Sequence, residues 1–151
     1  SPIEMDYASP AKQKGKTEQT TQHWYKGKKY TDRVIKKTSE KNPADYKTKI
    51  YSTTKHTTPS LGDKPTSVSI TRTRAKGTGL EGDDYRKIRT KETKYDIDKG
   101  GDITKTVTKT KRKGTARTST RSTKSRKLGV IGKYFAKRRI KKITKKATKN
   151  V

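Results

Sequence analysis

Cysteine is absent from this chain, which excludes a disulfide framework and any thiolate-ligated metal site. The two histidines, His23 and His56, stand far apart and have no ligand-like spacing. Apolar residues are scarce as well. Only 24% of the 151 residues are hydrophobic, with one Trp, one Phe and one Met, and mean hydropathy is -1.31. Globular domains run nearer about 45–50% apolar. No apolar run approaches the ~20 residues of a membrane span, and no signal-peptide core is read. The opening Ser1-Pro2 is compatible with loss of an initiator Met. Acidic residues run out early: after Asp102 there is no Asp or Glu, while residues 104–151 hold nineteen Lys or Arg. The chain carries 42 Lys and Arg against 14 Asp and Glu, a net charge of +28, and two thirds of that excess falls in its last third.

Chain ordering costs roughly 1–2 kcal/mol per residue for the backbone, and apolar burial returns about 25 cal/mol per Å². Low hydrophobicity with high net charge marks chains that stay disordered alone. The expected fold is therefore mostly extended or irregular, with a small antiparallel β segment, a basic C-terminal α-helix and little independent hydrophobic core. Such a chain would be ordered largely by assembly.

Four regions follow. Residues 1–44 read as an extended arm. Pro2 and Pro10 disfavour helix before them, and the alternation of Ile3, Met5 and Tyr7 suits a strand added to a partner's sheet. The arm includes an anchor, Trp24 with Tyr25, followed by Lys26, Lys28, Lys29 and Tyr30. Aromatics among lysines suit either base stacking or a protein pocket, and the pocket is preferred. Thr31 to Ser39 fits a short helix or a strand. Residues 45–110 are a Thr-rich β segment, since Thr is β-branched and suits strands. Tyr46 to Thr54, Thr66 to Arg74, Tyr85 to Ile97 and Ile103 to Thr110 are the candidate strands. Pro59 to Pro65 is a loop and Asp98 to Gly101 a tight turn. Val68 and Ile70 alternate strictly with Ser and Thr, so they share a face. Residues 111–128 form a basic low-complexity tether. Residues 129–151 hold a basic amphipathic helix over Val130 to Thr148, with Ile131, Tyr134, Phe135, Ile140, Ile143 and Ala147 near helical spacing.

Two glycine motifs are set aside. Gly77 to Gly82 spells G-x-G-x-x-G, but the preceding strand is Thr- and Arg-rich and Asp83-Asp84 would repel a pyrophosphate. Glu81, Asp83 and Asp84 lack EF-hand spacing. Gly129 to Gly132 lacks the α/β context of a G-x-x-G RNA-binding loop. No nucleophile has a supporting base, and the sequence gives no reason to call the chain an enzyme. No cofactor and no metal are expected.

The unbalanced charge predicts a polyanionic partner, most simply nucleic acid, DNA or RNA, bound without base readout. The candidate phosphate contacts in the tether are Lys111, Arg112, Lys113, Arg117, Arg121, Lys124, Arg126 and Lys127. Those in the helix are Lys133, Lys137, Arg138, Arg139, Lys141, Lys142, Lys145 and Lys146. Candidate protein-interface residues are Trp24, Tyr25, Val68, Ile70, Tyr134, Phe135, Ile140 and Ile143. An anionic membrane surface and an acidic groove on a protein are the other readings of the helix.

Ile3-Glu4-Met5 and Ser9-Pro10-Ala11-Lys12-Gln13, with the Lys/Thr bias, resemble small basic virion proteins of bacterial viruses. The resemblance covers about the first thirteen residues plus composition. It implies a minor head protein, on the inner capsid surface or near the portal, that touches the packaged genome and neighbouring subunits. A ribosome-associated protein with basic extensions is the alternative, and a membrane-surface module is a third.

Overall fold

The computed structural model describes residues 15–56, 64–77, 85–113 and 119–149. The arm before residue 15, most of the Pro59 to Pro65 loop, the G-x-G-x-x-G stretch after Gly77 with its acidic residues, and Arg117 lie outside the described residues.

Seven antiparallel strands form one sheet in simple sequence order: β1 (Lys16–Tyr25), β2 (Lys28–Thr38), β3 (Tyr46–His56), β4 (Ser67–Gly77), β5 (Tyr85–Ile97), β6 (Ile103–Lys113) and β7 (Thr120–Lys127). Among the described residues one helix, α1 (Val130–Thr148), follows the last strand and packs across a single face. Thr31 to Ser39 lies largely within β2 and is extended rather than helical.

This corrects the expectation of a mostly irregular chain with little core. The arm holds two paired strands, and most of the tether is strand: Lys111–Lys113 finish β6 and Thr120–Lys127 form β7. Whole-chain composition misjudges the fold for two reasons. Consecutive strands pair with their sequence neighbours, so each hairpin closes locally and its backbone groups are satisfied without apolar cost. The few apolar side chains are also not spread evenly. Tyr51, Val68, Ile70, Tyr95, Ile103 and Leu128 gather on one face and meet Ala136, Ile140, Ile143 and Ala147 of α1.

Turn chemistry fixes the register. Lys26 and Gly27 both have positive φ, 49° and 73°, the pattern of a two-residue type I′ hairpin. Between β5 and β6, the Asp102 amide donates to Asp98 Oδ1 at 2.8 Å, and Gly101 adopts φ 86°. Loop 39–45 is pinned across the sheet: Asn42 Nδ2 donates to the Gly77 carbonyl at 2.7 Å, and the Gly77 amide donates to Asp45 Oδ1 at 2.9 Å.

Side chains alternate along a strand, so the register sorts them into two unlike faces. The face away from α1 is rich in hydroxyls. Thr48, Thr73, Thr90 and Thr110 lie in one row across β3–β6. Thr73 and Thr90 hydroxyls are 3.2 Å apart, and those of Thr106 and Ser125 are 3.0 Å apart. The helix-side face holds the core at one end and something quite different at the other.

Candidate nucleic-acid interface

Strands with cations two residues apart place them on one face. Lys47 and Lys49, Arg72, Arg74 and Lys76, Lys87, Arg89 and Lys91, and Lys109 and Lys111 all follow that spacing, and the register puts all of them on the helix side. They also align across strands. Lys16, Lys37, Lys47, Arg74, Arg89 and Lys111 are direct partners in succession from β1 to β6. The adjacent row is Lys49, Arg72, Lys91 and Lys109, from β3 to β6. Strands lie about 4.8 Å apart and rows about 6.8 Å apart, so the cations form a grid. No residue of β2–β7 on this face is acidic.

Like charges directly opposite on a sheet are destabilising. The site records that crowding. Burial, then Arg72, Lys37, Lys146 and Lys47, push the Lys49 ammonium below its ordinary value. The acidic residue on this face is on the β1 edge. Glu18 accepts from Lys16 Nζ at 2.8 Å and from Arg33 Nη2 at 2.6 Å. The Lys16 and Arg33 hydrogen bonds hold it at about 2. Arg33 is buried at 4% exposure and also donates to the Lys146 carbonyl at 3.3 Å. That cation is therefore a clasp between β1, β2 and the end of α1, not a ligand contact.

Helix α1 bounds the grid. Its sheet-facing stripe is Ala136, Ile140, Ile143 and Ala147. At its start, Asp102 accepts from Lys127 at 3.2 Å and from Lys133 at 3.3 Å. The first of these, then the second, lowers its carboxyl below the usual range. Lys137, Arg138, Lys141, Lys142, Lys145 and Lys146 are exposed. Arg139 is half-buried and points with Phe135 into a cleft between α1 and the sheet.

The predicted contacts thus divide. Lys111, Lys124 and Arg126 join the helix-side grid, whereas Arg112, Arg121 and Lys127 alternate to the hydroxyl face. Lys113 ends β6. Lys133 is held in an ion pair. Of the predicted protein-interface residues, Val68, Ile70, Ile140 and Ile143 are buried in the chain's own core. Trp24, Tyr25, Tyr134 and Phe135 remain exposed, at 62%, 58%, 59% and 61%. Sequence reasoning passed over the grid on β2–β5. The signal was present as cation-x-cation spacing inside strands, masked because those same segments carry the acidic residues on their other face. Asp32, Glu92 and Asp96 all lie there.

Among the described residues, no group of His, Asp or Glu could hold a metal ion, and no helix is long and apolar enough to cross a membrane. Compared with known proteins, the chain matches no family model, no curated protein and no solved structure.

Proposed function

We propose that this protein is a non-enzymatic structural component of a nucleic-acid-containing assembly, and that it lays the helix-side face of its sheet along phosphates without reading bases. One observation carries the reading: a row of cations in direct register across six strands, beside a second row, with no carboxylate on that face of β2–β7. Such an arrangement raises the free energy of the isolated fold. A polyanion offsets that cost and gains counterion release on binding. The opposite, hydroxyl-rich face carries both signs of charge and is suited to neighbouring protein subunits; at the β1–β2 hairpin tip Tyr25 on this face and Trp24 on the helix side serve as anchors. A minor virion protein contacting the packaged genome, as the N-terminal resemblance implies, fits this two-faced design.

The test is the salt dependence of affinity for a nucleic-acid duplex. Replacing Lys47, Arg74, Arg89 and Lys111 together by Gln should flatten the slope of log K against log salt by about 0.9 per lost contact. The same variant should melt at a higher temperature than the parent, because it removes in-register repulsion. A variant with an unchanged slope, or a parent chain that binds no nucleic acid, overturns the reading.

A further inference from the structure

Phe135 is a large apolar side chain left 61% exposed on a chain with one Phe. Its position has a local cause. The buried stripe of α1 starts at Ala136, one residue later, so Phe135 is rotated by about 100° from the core. That rotation sends it to the flank of the helix, beside Arg139 four residues on. Both line a cleft of about 430 Å³ between α1 and β4–β7.

The sheet side of this cleft is cationic. Arg72, Lys91, Lys105 and Arg126 line it, and none of its lining residues is acidic. Lys91, Lys105 and Arg126 also line the next depression, over β5–β7. The grid therefore runs without a break up to the aromatic ring. A ring face beside several cations meets the two halves of a nucleotide: a flat base and its anionic phosphates.

We propose that this cleft binds single-stranded nucleic acid, with one base stacked on Phe135 and the adjoining phosphates on Arg126, Lys105 and Arg139. The proposal rests on the phosphate-binding reading above and adds to it a preference for an unpaired strand. A duplex keeps its base faces stacked and offers the ring nothing, although its phosphates can still reach the cation rows. A single strand can engage both.

The experiment measures anisotropy of a labelled oligothymidylate and of a labelled duplex with equal phosphate number, using the full chain over a range of salt. Phe135→Ala should weaken single-strand binding by roughly five- to a hundredfold and leave duplex affinity unchanged. The salt slope should stay the same for both, since no charge is removed. Phe135→Trp should restore single-strand binding. The exposed position keeps the melting temperature of both variants near that of the parent. Arg126→Gln should instead flatten the slope for both ligands. If the parent chain binds both ligands and Phe135→Ala changes neither, or weakens both alike, the stacking site is wrong while the phosphate-binding reading stands. If the parent chain binds neither ligand, the broader reading fails first.

Discussion

Arg33 shows how one side chain can belong to the charge inventory yet not to the interface. Its guanidinium is spent on Glu18 and on the end of α1. The consequence can be read against pH. Glu18 is held at about 2, below its ordinary 4.5, so between these values the unfolded chain binds more protons than the folded one. Stability from the Lys16 and Arg33 contacts to Glu18 is full above the ordinary value and is lost as pH falls through about 2. Acid titration of the melting temperature should show that decline, and Glu18→Gln should remove that part of it. The core residues behave differently. Ile143 is 2% exposed between helix and sheet, and Ile143→Ala should cost about 2–5 kcal/mol in denaturant unfolding. The exposed Tyr134, on the same helix, should show almost no loss on the same replacement.

Strands and turns were unequally legible. Thr66 to Arg74 reveals itself by Val68 and Ile70 alternating with hydroxyls, and Ile103 to Thr110 by Ile103 and Val107. The helix is visible from its spacing over Val130–Thr148. Strand β7 offers no such clue: Thr120–Lys127 has no apolar residue and every position is exposed. It is held by its ladder to β6 and by hydroxyl pairs such as Thr106 with Ser125. An apolar-periodicity argument has nothing to register there. The same holds for β1, where paired backbone rather than burial makes the strand. The partner choice of Ile140 and Ile143 was also hidden, because an amphipathic face does not say whether its cover is the chain's own sheet or another protein. The β1–β2 turn is the clearest place to test an element alone. Lys26 occupies a left-handed position that Asn tolerates better. Lys26→Asn should raise the thermal midpoint modestly and leave the salt dependence of nucleic-acid binding unchanged, since Lys26 lies outside the cation rows.

The described sheet has one heavily loaded face and one that mixes both signs of charge. The chain's net charge of +28 opposes compaction through self-repulsion, and salt screens that repulsion over about 10 Å at 0.1 M. Added sodium chloride should therefore raise the melting temperature, unlike the usual small effect on a balanced domain. A polyanion should raise it further at low salt, by mass action on the folded state. Both shifts should shrink in the four-site Gln variant, as followed by circular dichroism. A chain whose melting temperature falls with salt would contradict the assignment of the rows as mutually repelling.

The rows across β1–β6 repeat at even intervals, and evenness has its own outcome. A polymer displaced by one interval meets much the same set of partners as before. No single alignment is singled out, so neighbouring placements are nearly degenerate and the steps between them shallow. On the proposed phosphate-binding reading, molecules of this design would drift laterally along a polyanion instead of landing at one address.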